Sequence, residues 1–395
     1  MIVFGRDLVH SNRVRLMAAT AAILMIVGGL AGSATASPDH GRRVSVFVSA
    51  HRGHDTSTCG TSRHPCATIT QGLSRAASGA VVRVLPGRYH ELVVMTQRAR
   101  LVGFRATINA AGLSSGTGMA MIASAVTVTP PASGSTVEGF RVTGAYGEGI
   151  LVAGAHHVRI AQNHVFGNDV GTPASTSYFE CQAQGEVPGD CGEGIHLMSA
   201  MDSTVARNRI DHNSGGILVT DELGPASGNR ILRNRVVNNP FDCGITMPGH
   251  NPNALASNGT RQPTVAGVHD NLVEGNIIVA NGLRGEGAGV LIAAAMPGAA
   301  SYDNRIVGNV IRRNDLAGVT MHAHAPNQDI NDNVIARNTI GRNNLGGDPD
   351  AGVTQTTGIL IYSALPTVTV HVTVRHNHIH GNVFPIWKSS NVTIN

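Results

Sequence analysis

Short bursts of alternating aliphatic and polar residues fill most of this chain, and Asn or Gly punctuates them at a recurring interval. Seven times an Asn follows another Asn by five residues: Asn163/Asn168, Asn208/Asn213, Asn234/Asn239, Asn276/Asn281, Asn309/Asn314, Asn338/Asn343 and Asn377/Asn382. An aliphatic residue lies two positions after each first Asn (Val165, Ile210, Val236, Ile278, Ile311, Ile340 and Ile379). Most units then close on a Gly followed by Ile or Val: Gly194-Ile195, Gly216-Ile217, Gly244-Ile245, Gly289-Val290, Gly318-Val319 and Gly358-Ile359. A unit of this length, with two short strands and tight corners, describes one coil of a solenoid. Alternation assigns the faces of the Gly–Ile strands. Ile195, Leu197, Ile217, Val219, Ile245, Met247, Val290, Ile292, Val319, Met321, Ile359 and Ile361 should point inward, and His196, Leu218, Thr246, Leu291, Thr320 and Leu360 outward. Stacked coils bring equivalent residues ~4.8 Å apart, so the Asn side chains are predicted to form corner ladders that bond the coil above and below.

Ahead of the repeats, residues 44–49 read as a strand, a Gly/Asp/Cys/Pro loop fills 51–66, and Ala67 to Ser78 reads as a short helix. An open solenoid end exposes core and strand edges, so this helix is expected as a cap. Phe384 and Trp387 are candidates to cover the last coil. The organisation predicted is a signal peptide at 1–36, a cap and first coil at 37–100, and repeats over 101–395. The signal rests on Arg6, Arg13 and Arg15 before the apolar stretch Leu16 to Leu30, then Ala34-Thr35-Ala36 as a cleavage site, with an uncleaved anchor as the alternative. No later segment is apolar enough for a membrane span, so a protein outside the cytoplasm, secreted or at the cell surface, is expected. Two long insertions, about 169–192 and 248–268, interrupt the repeat, with smaller ones at 293–301, 322–328 and 344–356. Insertions in a solenoid cluster on one side, which is often the binding side.

Composition changes this picture little. A net charge of +4 is modest and Lys388 is the only lysine, so the basic excess does not argue for nucleic acid. Aromatics make up 4% of the chain, which leaves few platforms for sugar stacking. Five cysteines in an exported chain suggest disulfides. Local pairs Cys59–Cys66 and Cys181–Cys191 are expected, leaving Cys243; pairing of Cys243 with Cys181 or Cys191 is the alternative.

The repeats resemble those of the right-handed parallel β-helix superfamily, the pectate-lyase-like proteins built from PbH1 repeats, and are similar to those of NosD-like periplasmic proteins associated with copper-site maturation. The stretch Val84-Leu85-Pro86-Gly87-Arg88-Tyr89-His90-Glu91 looks like the first-coil closure of secreted members. The resemblance implies an all-β solenoid of roughly ten coils. It does not imply an activity, since the superfamily holds lyases, hydrolases, epimerases and adhesins. The Asn-Thr-Asp, Asp-Asp, Gly-His-Gly and Arg-Ile-Lys signatures of polygalacturonase-like hydrolases are missing, as is the Tyr-Gly-Phe-Asp-Pro-His motif of mannuronan-epimerase-like enzymes. Alginate-lyase-like and chondroitinase-like members use a lysine base, and Lys388 lies at the terminal coil. Pectate-lyase-like chemistry, with an arginine base and calcium held by aspartates, stays open.

Candidate chemistry centres on the starts of the Gly–Ile strands. Glu148 and Glu193 should sit on neighbouring coils, with Asp242 and Glu286 at nearby positions further along and His196 projecting beside Glu193. Carboxylates this close repel unless one is protonated or they share a cation. Glu148, Glu193 and Asp242 are therefore expected to hold any metal, calcium being the candidate. Glu148, Glu193, His196, Asp221, Asp242 and His250 are the expected catalytic set, with Asp221-Glu222 and His250 at the edges of loops over the same strand. An exposed acidic ladder with no ligand is the alternative. Arg207, Arg209, Arg233, Arg235, Arg312 and Arg337 form an outward stripe able to hold a polyanion or simply to be solvated. His322/His324 and His376/His378/His380 alternate outward but at ~7 Å, wide for ligands of one ion. Asp348-Pro349-Asp350 reads as a turn or a calcium loop. The function expected is action on an acidic extracellular polysaccharide by a monomer, with lyase-like β-elimination as its form if catalytic. A non-catalytic binding solenoid and a NosD-like metal-maturation protein are the alternatives.

Overall fold

The computed structural model describes residues 45–114, 124–169, 193–294 and 296–395. The proposed signal segment, Cys181, Cys191 and most of the first long insertion lie outside them. Among the described residues no helix is long and apolar enough to cross a membrane.

Each coil contributes short parallel strands to stacked sheets. One sheet has ten strands, running from Val93–Met95 through Ile150–Ala153, Glu193–Met198 and Gly215–Thr220 to Thr357–Ser363 and Phe384–Lys388. A second sheet of twenty strands carries two stacks joined by the long strands Arg100–Asn109 and Thr136–Thr143, and a sheet of three strands stands between sheets at one corner. The register is the predicted one: Ile195 opposes Ile150 and Ile217, and Ile245 opposes Val290. All twelve residues assigned inward on the Gly–Ile strands are fully buried. A buried side chain of this type contributes ~1.5–3 kcal/mol, so stability grows coil by coil with no large aromatic core.

The Asn ladders are present and dry. Asn208 Oδ1 accepts from the backbone N–H and Nδ2 of Asn163 at 2.9 and 3.1 Å, and the pattern repeats through Asn234, Asn276, Asn309, Asn338 and Asn377. A second ladder runs Asn168–Asn213–Asn239–Asn281–Asn314–Asn343–Asn382. A third, Asn229–Asn271–Asn304–Asn333, turns the remaining corner. The residue before many ladder Asn residues has a positive φ, as at Arg207, Arg233, Ala280 and Arg337. That left-handed step makes the corner, and the ladder bonds hold side chains in a region L-residues avoid.

The Gly of each Gly–Ile pair and the aliphatic between the Asn residues prove to be two halves of one contact. A Cβ on Gly194 would lie 2.7 Å from Ile210 Cγ2, and one on Gly318 2.7 Å from Ile340 Cγ2. Glycine is needed here for close approach inside the coil.

The helix is shorter than predicted, Ile69–Arg75, because Thr68 caps its N-terminus through Gln71 N–H and the Glu91 carboxylate binds the N–H groups of Ile69 and Thr70. Cys59–Cys66 is a disulfide, and Cys243 is a buried thiol whose Sγ accepts from Ala288 N–H. Phe384 and Trp387 do not lid the last coil. They pack on the outer face of the ten-stranded sheet with Ala317, Val353 and Leu360, and the inward Ile386 is 39% exposed. Outward Thr320 and Leu360 are themselves fully buried; Leu360 is covered by Ala351 and Val353 of the 344–356 insertion.

Candidate functional site

The outer face of the ten-stranded sheet gathers the predicted residues. Gly149 N–H bonds Glu193 O, and Glu193 opposes Gly215, so Glu148 and Glu193 occupy successive coils. Their side chains diverge in partner. Glu148 Oε2 accepts from Ser124 Oγ at 2.7 Å, and Oε1 lies 3.0 Å from His196 Nδ1. Glu193 leans over Gly215, where Asp242 also arrives: Glu193 Cγ, Asp242 Cβ and Asp242 Oδ2 stand 2.7, 3.2 and 3.4 Å from the point a Gly215 Cβ would occupy. Both side chains pass over Gly215.

His196 passes the connection on. Its Nε2 lies 2.7 Å from Thr220 Oγ1, and the neighbouring Glu222 has its Oε1 2.8 Å from His250 Nδ1. The result is a bonded run, Ser124–Glu148–His196–Thr220, beside a second pair, Glu222–His250, whose imidazole is 36% exposed.

Electrostatics follow from these contacts. Burial raises Glu148, but the hydrogen bonds from His196 and Ser124 and the His196 charge outweigh it and hold the carboxyl below its ordinary value. Burial also raises Glu222, yet the His250 bond and the His196 and His250 charges bring it down to about 2. A carboxyl depressed from 4.5 to about 2 contributes stability that is fully present above 4.5 and lost as pH falls through about 2. The Glu222 carboxyl carbon, assigned with Glu222→Gln, should titrate by NMR with a midpoint near that lower value. A midpoint at an ordinary glutamate value would show that the bond to His250 does not hold in solution.

Asp221, one of the expected catalytic residues, sits at the base of the 248–268 insertion. It is fully buried, and its Oδ1 accepts the N–H groups of His250 and Asn251 at 2.6 and 3.1 Å while Oδ2 accepts Gly267 N–H at 2.7 Å. Those three amides are the two ends of the 248–268 insertion, so Asp221 staples the loop that carries His250. Burial outweighs these bonds and raises its pKa. Its neighbour Glu222, absent from the expected catalytic set, makes the contact to His250. Alternation placed Glu222 beyond the strand end, and only the loop's path brings His250 to it.

Glu286 enters two residues out of step, bonding Phe241 O through its N–H. Burial and the Asp350 and Asp348 charges push it up to about 7, so it belongs with a second cluster of His322, His324, Asp348 and Asp350. Of the arginine stripe, Arg207 and Arg209 join Arg105, Arg141 and His164 in an open groove of about 540 Å³ at the Asn163/Asn208 corner, across the coil from the glutamates. Asp211 ties Arg209, His164 and His212 together there.

A family model described as "Periplasmic copper-binding protein (NosD)" matches residues 132–316. The chain folds as a parallel β-helix, and residues 132–316 are similar to the NosD family. Solved β-helices of similar fold include an alginate lyase from Paenibacillus sp. str. FPU-7, 14% identical with a TM-score of 0.57, aligned over 88% of this chain and 99% of that one. The enzymatically active domain of bacteriophage CBA120 tailspike protein 2 is 12% identical with a TM-score of 0.52, over 86% and 46% of the two chains. ORF18 of Geobacillus virus E2 is 10% identical with a TM-score of 0.53, over 89% and 60%. No curated protein matches the sequence. Likeness at these identities concerns the β-helix alone. The clusters of three His, Cys, Asp or Glu donors found among the described residues lie outside the matched stretch.

Proposed function

We propose that the protein acts outside the cytoplasm, as a monomer, on an acidic polysaccharide, and that His250 is the general base of a β-elimination. The observation that carries this reading is the partly exposed His250 ring held by Glu222, whose Oε1 lies 2.8 Å from its Nδ1. A base oriented by a carboxylate is what abstraction of a weakly acidic proton requires. Glu222 orients the His250 ring through Nδ1, Asp221 fixes the backbone beneath it, and Glu148 with Ser124 orients His196. The likeness to an alginate lyase fold supports a uronate-containing substrate.

Calcium, if used, falls to Glu193 and Asp242, which both pass over Gly215. Glu148 is already engaged by His196 and Ser124. A bound calcium would neutralise a uronate carboxylate and so acidify the neighbouring proton. Excluding water, holding the ring of His250 and accepting the proton remain tasks of this chain's own residues.

The test is ultraviolet absorbance of unsaturated uronate product from purified protein over a panel of acidic polysaccharides, with calcium and with chelator. A rising signal supports elimination, and dependence on calcium supports the Glu193/Asp242 pair. Silence across the panel removes elimination for those substrates. A second reading, binding without turnover, is favoured by the arginine groove. It predicts salt-sensitive retention on the same polyanions that Arg207→Ser with Arg209→Ser weakens.

A further inference from the structure

The 344–356 insertion folds back over the ten-stranded sheet and delivers two aspartates to the outward histidines of the strand Val319–Ala323 and the residue beyond it. Asp348 is fully buried, and its Oδ2 lies 3.0 Å from His322 Nε2. The turn that holds it is fixed by reciprocal backbone bonds between Asp348 and Val353 and by Ala351 N–H on Asp348 Oδ1. With Nε2 so engaged, His322 presents Nδ1 toward Asp350, 3.6 Å from its Oδ2, and His324 Nε2 lies 3.6 Å from the same oxygen. All three donor atoms lie within 4.8 Å of one another.

We propose that His322 Nδ1, His324 Nε2 and Asp350 Oδ2 form a site for a divalent transition-metal ion. The two 3.6 Å separations are longer than hydrogen bonds. They match donors around one ion, since bonds of about 2.0–2.2 Å at tetrahedral angles set neighbouring ligands about 3.4 Å apart. Two imidazoles and one carboxylate suit Zn(II), Cu(II), Ni(II) or Co(II) better than calcium or magnesium, which take oxygen donors. Asp348 occupies the place of an outer carboxylate that fixes the ring of a ligating histidine. Asp348 pairs with His322, and Asp350 with His322 and His324. Tyr362 closes one side, its ring 5.7 and 6.0 Å from the two imidazoles. The site lies beyond the stretch that the NosD model matches. The other convergent group, Asp55 with Cys59 and Cys66, is a disulfide and offers no thiolate.

Chelator-stripped full chain titrated calorimetrically with zinc should take up one ion at this site. Asp350→Asn and His324→Gln should each abolish that uptake, and Asp348→Asn should weaken it about tenfold or more. Cobalt(II) substitution should give the visible absorption of a low-coordinate nitrogen and oxygen set, absent in Asp350→Asn. His378→Ala with His380→Ala removes the exposed histidine pair at the C-terminal coil and should leave uptake unchanged. Uptake that survives both Asp350→Asn and His324→Gln, that disappears with the His378/His380 change, or that is absent from the parent chain would overturn the assignment. Unfolding midpoints of the metal-free variants separate lost donors from lost fold.

Discussion

Asn276→Ala is expected to lower stability by about 3–5 kcal/mol, although Asn276 touches no candidate site. Its Oδ1 accepts Asn234 N–H at 2.8 Å and Asn234 Nδ2 at 3.1 Å, while its Nδ2 donates to Ile231 O at 2.9 Å and Asn309 Oδ1 at 3.0 Å. Neither Asn276 nor Asn309 has solvent exposure, so water cannot take over the abandoned groups. Truncation strands two donors of Asn234, and each buried unsatisfied group costs about 1–3 kcal/mol. Asn276→Asp tests the same point differently: it keeps the shape, loses both Nδ2 donors and adds a buried charge, so it should be at least as damaging. Asn382→Ala, at the partly exposed end of its ladder, should cost about 1 kcal/mol or less because water reaches its partners. Urea unfolding midpoints of the three variants check this. Equal, small effects at positions 276 and 382 would mean that the ladders are incidental to stability.

The ladder is also where the sequence was most legible. Side chains that repeat once per coil must meet their own equivalents, so spacing alone fixed both the inward residues and the Asn stacks. The third ladder is also legible in the spacing: Asn229, Asn271, Asn304 and Asn333 each precede the first Asn of a pair by five residues, one for each of the repeat's three corners. Glu148 beside Glu193 followed from the same register.

The insertions obey no period, and there the reading stopped. Whether Asp221 or Glu222 meets His250 depends on how 248–268 leaves and re-enters its coil, which three amide bonds to one buried carboxylate decide. His322 and His324 were too far apart to share an ion by strand geometry alone. Asp350, remote in sequence, supplies the third donor because a loop crosses two strands to reach them. Long-range loop packing sets these contacts, and composition carries no signal for it.

His250→Ala and Glu222→Gln are each expected to lower kcat/KM by about 10²–10⁴-fold on whichever uronan is cleaved. His250 would lose the base itself, and Glu222→Gln would remove the charge that fixes the ring through Nδ1. His250 is partly exposed, so the unfolding midpoint of His250→Ala should stay near the parent value, whereas Glu222→Gln gives up the stability of the depressed carboxyl and its midpoint should fall. Added imidazole should restore part of the activity of His250→Ala, because a small base can enter where the side chain was, and it should do nothing for Glu222→Gln. Glu148→Gln works at a distance through His196, so its effect should be smaller and fall on kcat and its pH profile more than on KM. Asp221→Asn should raise KM and lower kcat together by loosening the 248–268 insertion. If His250→Ala kept full turnover while Glu193→Gln lost it, the base would lie at the Glu193/Asp242 pair over Gly215, and the bonded run through His196 would be structural.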